Sequence, residues 1–448
     1  MKIRRILSVF FLIGLLCSLL VTPAWAVEEP TVNAKAALLV DVEGDNILFE
    51  KNAHQQMYPA SITKVMTALL TLEAVEQGKL QMDQMITASA TAFFDMEADG
   101  STAGIVTGES MSVQDLLYCL LLESANEAGN ILAEAVSGSV SAFVQLMNQK
   151  AAELGMEDTH FANTHGLHNP RHYTTAWDLY LLAREAIGNE AFMTICNTLS
   201  YTVPATNKSE ERELHTTNSL ISNWRILGYL YDGAEGIKTG TTEQAGNCLL
   251  SSAVRGSRRL VCVVLGCDGE GTEIQSFTDS ATLYDYGFDN FSVQTIITAD
   301  EMIQEVPVDL STQTNYVVVH PAEDVQALLP NDVDVSQLER KVELERDVAL
   351  APIAAGDQLG TLTFLYDGEV CATVPLLAQF DVSASRFLTA KYQIEQFLSK
   401  TVVQIVLVIL VLAVVLVWVW WKFFRRNRRY GRSSSRRHGR RAYRGRRR

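Results

Sequence analysis

The segment from Val402 to Trp421 constrains this chain more than any other feature, because its twenty residues include a single strongly polar one, Gln404. A run of that length matches the hydrocarbon core of one bilayer. Three of its last four residues are tryptophans, which are enriched where a span meets the membrane interface. We therefore predict a transmembrane helix at residues 401–424, which limits the globular part of the protein to the residues before it.

Basic residues flank the apolar segments near both termini and predict an orientation. The residues from Lys422 onward include 14 Lys and Arg and no acid, and such flanks stay in the cytoplasm. At the other terminus, three basic residues precede an apolar run and a small-x-small cleavage pattern that ends at Ala26, which is typical of a signal peptide. We expect residues 1–26 to be removed, the globular part to lie outside, and residues 425–448 to form a cytoplasmic tail.

The charge distribution argues against nucleic acid as a partner. Of the 37 Lys and Arg residues, 17 lie in the signal peptide or from Lys422 onward, whereas none of the 52 Asp and Glu residues does. The exported part is therefore strongly acidic, which opposes binding to a polyanion. We expect no nucleic-acid partner.

Candidate metal ligands are few and scattered. Six cysteines follow the signal peptide without a C-x-x-C pair, which favours small buried residues over a metal site or a disulfide framework. A bridge from Cys248 to Cys262 or Cys267 across a hairpin stays open. One loop holds three histidines, namely His165, His168 and His172, but no acid-rich segment accompanies it. We expect no metal and no cofactor.

Apolar periodicity divides the exported part into two regions. A strand is predicted at Ala36–Asp41, and the apolar runs around the turn "RGSRR" predict a β-hairpin. Between them, the spacing of apolar residues predicts helices at residues 61–77, 112–122, 126–137, 139–154 and 175–187. Strands on either side of a helical middle predict an α+β domain with one antiparallel sheet.

The pattern changes after Phe291. Short alternating strands such as "NYVVVH" and "TLTFLYDGEV" predict a small all-β domain at residues 295–382. We therefore predict a first domain at residues 27–291, a linker at residues 383–400 and then the transmembrane helix.

A serine and a lysine stand three residues apart where the first predicted helix begins, in "YPASITKVMTALL". Residues i and i+3 are neighbours on one helix face, so Ser61 and Lys64 are predicted to meet. A desolvated lysine loses its proton near neutral pH and can activate a serine, which is a weak nucleophile without a base. An N-cap serine followed by a solvent-facing lysine gives the same spacing, so this pair alone decides nothing.

Two further motifs support a catalytic interpretation. Ser124-Ala125-Asn126 lies between two predicted helices, where a short loop can turn polar side chains into a cleft. Lys238-Thr239-Gly240 opens a predicted strand, where the glycine permits close backbone approach and the lysine supplies charge. S-x-x-K, S-x-N and K-T-G, in this order, are the motif set of penicillin-binding proteins and β-lactamases.

On these motifs the chain resembles the low-molecular-weight penicillin-binding proteins, which are serine-type D-alanyl-D-alanine carboxypeptidases. The similarity covers nearly all of residues 34–291 and includes "LLYCLLLESANEAGNILAE", "HYTTAWDL" and "EGIKTGTTEQAGNCLL". The resemblance implies a transpeptidase-like fold, in which helices and a helical subdomain flank an antiparallel sheet. It also implies a bacterial cell-membrane location, peptidoglycan stem peptides ending in D-Ala-D-Ala as substrate, and β-lactam antibiotics as covalent inhibitors.

The resemblance also implies residue roles. Ser61 would be the acylated nucleophile, Lys64 its general base, and Ser124 the relay of a proton to the leaving group. The substrate would be held by residues of the second and third motifs, namely Asn126, Lys238, Thr239, Gly240 and Thr241.

Two positions depart from the family pattern. Glu127 follows Asn126 where an aspartate is frequent. Ser276 stands where the resemblance implies an arginine that binds the terminal carboxylate, and Arg258 or Arg259 could serve instead by reaching in from the hairpin turn.

Three other functions compete with the carboxypeptidase activity that the resemblance implies. A class A β-lactamase needs a glutamate-bearing loop, and no E-x-x-L-N pattern occurs between the second and third motifs. A peptidoglycan DD-endopeptidase shares all three motifs and stays open. A catalytically weak wall-binding protein is the alternative outside enzymology, and the intact motifs speak against it.

Overall fold

The computed structural model describes residues 28–97 and 100–427. The predicted signal peptide and residues 428–448 of the predicted tail lie outside the described residues. The chain forms two compact units, the first reaching to Gln294 with the addition of Leu328–Val333, and the second made of Thr295–Ala327 and the residues from Asp334 onward.

The first unit is built on a five-stranded antiparallel sheet in the order β2-β1-β9-β8-β7. Its strands are β1 (Ala36–Asp41), β2 (Asn46–Lys51), β7 (Ala234–Thr242), β8 (Gly246–Arg255) and β9 (Arg258–Cys267). The predicted first strand and the predicted hairpin are thus confirmed, and β7 is an edge strand.

The central strand β9 is apolar on both faces, because each face of the sheet has its own core. Val261, Val263 and Leu265 pack into the core beneath most of the helices. Cys262 and Val264, which alternate with them, pack into a second core on the opposite face. This follows from the period of two along a strand, and it explains an apolar run in which no residue faces water.

Among the described residues, six α-helices of the first unit lie between β2 and β7, and a seventh follows β9. They are α1 (Lys64–Glu76), α2 (Val113–Leu121), α3 (Asn126–Ser137), α4 (Val140–Glu153), α5 (Ala176–Ile187), α6 (Glu190–Cys196) and α7 (Gln275–Asn290). The short strands of this unit are β3 (Met85–Thr87), β4 (Ser110–Ser112), β5 (Ser200–Val203), β6 (Arg212–His215), β10 (Gly269–Glu270) and β11 (Glu273–Ile274).

The five predicted helices are confirmed, with one difference at the start of the first. Ala60–Thr63 form a 3-10 turn, and the α-helix begins only at Lys64. Nearly every residue of α1 is buried, which explains its lack of a polar face. The helices α2, α4, α5 and α6 begin with side-chain caps, for example Ser112 Oγ accepting from the Asp115 N–H.

The second unit contains a six-stranded sheet in the order β16-β18-β19-β14-β13-β17. The strands from the end of the first unit onward are β12 (Phe291–Ile297), β13 (Gln304–Asp309), β14 (Tyr316–Pro321), β15 (Val325–Pro330), β16 (Glu339–Leu344), β17 (Ala349–Leu350), β18 (Gln358–Tyr366) and β19 (Glu369–Ala378). Alternate side chains such as Val317, Leu362 and Leu376 are fully buried, as the period of two predicts. The predicted all-β fold is confirmed.

Two helices end the described chain. α8 (Arg386–Ser399) occupies most of the predicted linker, and α9 (Thr401–Asn427) contains the predicted transmembrane segment. In the described part of the chain, this is the helix whose length and composition would allow it to cross a membrane, with a mean hydropathy of 3.3 over its most apolar 18 residues. The domain limits given above stay a prediction.

Candidate active site

Ser61 and Lys64 meet at the start of α1. The backbone turns sharply before them, since Ala60 has a φ of +47°, a left-handed conformation that is unfavourable for a residue with a Cβ. The 3-10 turn then brings Ser61 to the cleft, and Lys64 Nζ lies 2.8 Å from Ser61 Oγ. The lysine does not face solvent, because its side chain is fully buried.

Three oxygens surround the Lys64 amine. Besides Ser61 Oγ, Nζ lies 2.8 Å from Asn126 Oδ1 and 2.7 Å from the backbone oxygen of His165. The amide oxygen and the carbonyl can only accept hydrogen bonds, whereas a hydroxyl can also donate. A neutral Lys64 amine therefore donates its two hydrogens to the Asn126 amide oxygen and the His165 carbonyl, and its lone pair points at the Ser61 hydroxyl.

The surroundings favour that neutral form. Burial, and then the positive charge of Lys238, hold the pKa of Lys64 well below its ordinary value, and Glu127 opposes this only in part. Removal from water disfavours the charged amine, and a nearby like charge acts in the same direction. The pair thus has the contacts and the electrostatics of a base beside a nucleophile.

The second motif turns from α2 into α3. Ser124 has a φ of +61°, again a left-handed conformation for a residue other than glycine, and its Oγ makes no hydrogen bond within the described part of the chain. Asn126 is the first residue of α3, which places its side chain at Lys64. Glu127 is buried, and its Oε1 accepts hydrogen bonds from Thr102 Oγ1 at 2.6 Å and from the next backbone N–H at 2.8 Å. The glutamate therefore anchors a loop beside the motif.

The third motif lies on the edge strand β7. A Cβ on Gly240 would lie 3.0 Å from the backbone nitrogen of Ser61 and 3.0 Å from the Pro59 oxygen, closer than side-chain carbons normally approach. Glycine at this position thus lets the strand run directly beside the serine. The edge of β7 offers unpaired backbone groups to an extended peptide.

Lys238 is the second fully buried lysine of the site. Its Nζ donates to the Thr239 backbone oxygen at 3.0 Å, and burial lowers its pKa to about 7. The neighbouring Thr239 Oγ1 lies 2.6 Å from Thr217 Oγ1, and Thr241 Oγ1 donates to Asn247 Oδ1 at 3.0 Å.

These motifs converge on one cleft of about 230 Å³. Five of the eight predicted site residues line it directly, namely Ser61, Ser124, Thr239, Gly240 and Thr241. Lys64 and Asn126 adjoin it through their hydrogen bonds to each other and to Ser61, and Lys238 precedes Thr239 on β7.

Several residues of the cleft were not predicted from the sequence. Thr217 and Asn247 bond to the third-motif threonines, and Ser101 and Ile226 contribute to the walls. They lie in loops or on a strand without a motif around them, so the sequence carried no signal for them.

Ser276 lines the same cleft as Thr241, which agrees with the position that the resemblance implies for it. The suggestion that Arg258 or Arg259 reaches the site is wrong. Arg258 pairs with Asp41, and Arg259 pairs with Glu235. Both follow the turn between β8 and β9, whereas the cleft lies where β7 meets β8.

The three histidines of the candidate metal loop have separate partners. His165 accepts from Lys64 through its backbone, His172 Nε2 lies 2.8 Å from Thr63 Oγ1, and His168 packs edge-on against Tyr58. Within residues 28–97 and 100–427, no three His, Cys, Asp or Glu side chains are placed to hold a metal ion. Five of the six described cysteines are buried and all six are free thiols, so the hairpin bridge does not form.

Comparison with known proteins agrees with this geometry. The model of the D-alanyl-D-alanine carboxypeptidase family matches residues 24–269, and that of the penicillin-binding protein 5 C-terminal domain matches residues 291–384. The chain is 30% identical over 392 residues to the D-alanyl-D-alanine carboxypeptidase DacF of Bacillus subtilis, covering 86% of this chain and 96% of that protein.

Solved structures give the same result. The carboxypeptidase DacD of Francisella tularensis superposes with a TM-score of 0.64 at 27% identity, covering 80% of this chain and 96% of that one. Penicillin-binding protein 5 of Haemophilus influenzae superposes with a TM-score of 0.61 at 29% identity, covering 80% of this chain and 100% of that one. Penicillin-binding protein D2 of Listeria monocytogenes, in a cefotaxime-bound form, superposes with a TM-score of 0.51 at 29% identity. The match covers 58% of this chain and 99% of that one.

The fold, the three motifs and these similarities define a penicillin-binding serine hydrolase. The chain belongs to the D-alanyl-D-alanine carboxypeptidase family, and the predicted family, fold class and serine-type enzyme class are confirmed.

Proposed function

We propose that this protein is a membrane-anchored carboxypeptidase that removes the terminal D-alanine from peptidoglycan stem pentapeptides through an acyl-enzyme on Ser61. The observation that carries the proposal is the 2.8 Å contact between Ser61 Oγ and the buried Lys64 amine, whose other two partners can only accept hydrogen bonds. That arrangement supplies a base to a serine that would otherwise be unreactive.

The reaction proceeds in two halves. Lys64 takes the Ser61 proton as Oγ attacks the carbonyl of the penultimate D-alanine, and a tetrahedral oxyanion forms. The C–N bond then breaks, Ser124 relays the proton to the departing amine of D-alanine, and the ester remains on Ser61. Water then attacks the ester, which releases the tetrapeptide carboxylate and restores the Ser61 hydroxyl.

The remaining motif residues hold the substrate. The backbone N–H groups of Ser61 and Thr241 bind the oxyanion, and each such donor typically contributes about 3–4 kcal/mol. The stem peptide adds to the edge of β7, and Asn126 bonds its amide. Lys238 and Thr239 bind the terminal carboxylate. A β-lactam follows the same first half and acylates Ser61.

Membrane attachment completes the proposal. α9 has the length and hydropathy of a single span, with the catalytic unit outside and the basic tail in the cytoplasm. Protease added to intact protoplasts should then digest the catalytic unit and leave a tag after Arg448 protected. The proposed domains are the catalytic one at residues 27–291 and the β-rich one at residues 295–382.

One observation favours endopeptidase activity as a second function. Of the described residues that line the cleft, none is an arginine, and the position of Ser276 presents a small hydroxyl. A peptide whose D-alanine continues into a cross-link carries no carboxylate at that point, so it loses little by the absence of an arginine.

Mass spectrometry of the products decides between these activities. Purified pentapeptide should lose one D-alanine, and a Ser61→Ala variant with an unchanged melting temperature should release none. Cross-linked dimers cleaved faster than pentapeptide would instead identify an endopeptidase. Release of D-alanine by folded Ser61→Ala would contradict the proposed nucleophile.

A further inference from the structure

The backbone oxygen of His165 is one of the two acceptors that orient the Lys64 amine, so the placement of this residue matters for the base. Its imidazole is 1% exposed, and its Nε2 lies 3.1 Å from Asp95 Oδ2. The neighbouring Asn163 Oδ1 accepts from the Gly166 N–H at 2.7 Å, which shapes the turn but does not hold the ring.

The hydrogen bonds identify the tautomer of the imidazole. The Leu167 backbone N–H donates to His165 Nδ1 at 3.2 Å, so this nitrogen is the acceptor and Nε2 carries the proton. Burial lowers the pKa of His165, which keeps the ring neutral. Nε2–H therefore donates to the carboxylate of Asp95, and such charge-assisted bonds are stronger than neutral ones.

Asp95 is in turn held by the helix that carries the second motif. Its Oδ1 accepts from Asn130 Nδ2 at 2.8 Å. Asn130 lies on α3 one turn after Asn126, the other acceptor of Lys64. The same helix thus positions both acceptors, one directly and the other through Asp95 and His165.

Asp95 is not needed as a core residue. Its side chain is 47% exposed and lines a groove of about 820 Å³ beside α3 and α4. A half-exposed aspartate could satisfy its hydrogen bonds with water, whereas here both oxygens point to partners that lead to the site.

We propose that Asp95 is a positioning residue for the general base, acting through the His165 imidazole on the carbonyl that orients the Lys64 amine. The inference rests on the proposed role of Lys64. Without the carboxylate, the His165 ring loses its contact at Nε2 while Asn163 still holds the turn. The His165 carbonyl then shifts relative to the Lys64 amine, and the lone pair of Lys64 is less well directed at Ser61. Acylation slows, while the groups that bind substrate stay in place.

The test is Asp95→Asn, which keeps the shape and removes the charge. One amide oxygen cannot replace both carboxylate oxygens, so either His165 or Asn130 loses its acceptor. We expect the acylation rate constant for penicillin to fall about tenfold, because small misplacements of reacting groups have effects of that order or larger. The dissociation constant of the non-covalent complex should stay unchanged.

Glu134→Gln is the matched control. Glu134 lies on α3, lines the same groove, and binds Ser89 Oγ and Thr91 Oγ1 of the segment before Asp95, each at 2.6 Å. It therefore anchors the same segment without contact to His165. Acylation by this variant should remain within about twofold of wild type, whereas an equal loss in both variants would mean that Asp95 only anchors the segment.

A second variant tests the route through the imidazole. In a His165→Gln background, Asp95→Asn should have no further effect, since interacting residues are non-additive. Additive losses, or normal acylation by Asp95→Asn alone, would overturn the inference. If penicillin does not label Ser61 in the wild-type protein, the proposed function itself fails, which is a distinct result.

Discussion

Two lysines adjoin residues that line the cleft, and their surroundings differ more than their burial. Lys64 and Lys238 are both fully buried, and the pKa of each lies below its ordinary value mainly because of that burial. Lys64 contacts three oxygens, whereas Lys238 has a single partner within the described residues, the Thr239 carbonyl.

The difference supports the two different roles proposed for these residues. Every position around the Lys64 nitrogen is taken, so it can exchange a proton with Ser61 but cannot bind a further group. Lys238 has unused donors beside the threonines of β7, so a ligand carboxylate can complete its coordination. On the proposed roles, the number of fixed acceptors, rather than burial, separates the general base from the residue that binds the carboxylate.

The largest expected effect comes from replacing each lysine by arginine in turn. A guanidinium keeps its charge and cannot serve as a base, so Lys64→Arg should lower the penicillin acylation rate by at least about a thousandfold. Lys238→Arg keeps the positive charge that the carboxylate needs. Its acylation rate should therefore fall by a factor at least about a hundred times smaller than that of Lys64→Arg. Both rates are measured by stopped-flow acylation of variants whose melting temperatures match wild type. Near-normal acylation of folded Lys64→Arg would show that the base lies elsewhere.

A pH titration sharpens the assignment of Lys238. Burial lowers its pKa to about 7, so it is charged below that pH and neutral above it. Binding of a terminal carboxylate favours the charged form. The Michaelis constant for a D-Ala-D-Ala peptide should therefore be lowest below pH 7 and rise by up to about tenfold per unit above it.

An amidated analogue is the control for that titration, because it carries no carboxylate. Its Michaelis constant should not follow the ionisation of Lys238, and Lys238→Arg should remove the alkaline rise for the free acid. The same rise for both substrates would assign the effect to another group.

The smallest expected effect comes from adding a second cation beside Lys238. Ser276 lines the cleft without charge, and a charge-assisted hydrogen bond contributes about 1.5–3 kcal/mol. Ser276→Arg should raise kcat/KM for a D-Ala-D-Ala peptide by about tenfold, with little change for the amidated analogue. Equal gains on both substrates, or none on either, would show that Ser276 does not face the terminal carboxylate.

Much of this architecture was predictable because its signals are local. The period of two in β9 and the apolar helices predict the sheet and its cover, and the three motifs predict the chemistry of Ser61 and its neighbours. The helix that contains Lys64 differs at its start, where a 3-10 turn lies against Gly240, a contact distant in sequence.

The rest of the site depends on contacts that no local pattern carries. The His165 carbonyl reaches Lys64 across 101 residues, and a backbone oxygen leaves no trace in residue type. Thr217 meets Thr239 across a loop, and Asp95 reaches His165 from another. The wrong prediction for Arg258 and Arg259 has the same origin. The sequence indicates the hairpin, but it does not indicate which end of the hairpin faces the cleft.

The central claim is that Ser61 is the nucleophile that Lys64 activates. Intact-mass measurement after penicillin treatment, followed by peptide mapping, tests it most directly. We predict one adduct per chain on the peptide that contains Ser61, and none in Ser61→Ala. An adduct on a different peptide, or persistent labelling of folded Ser61→Ala, would contradict the account.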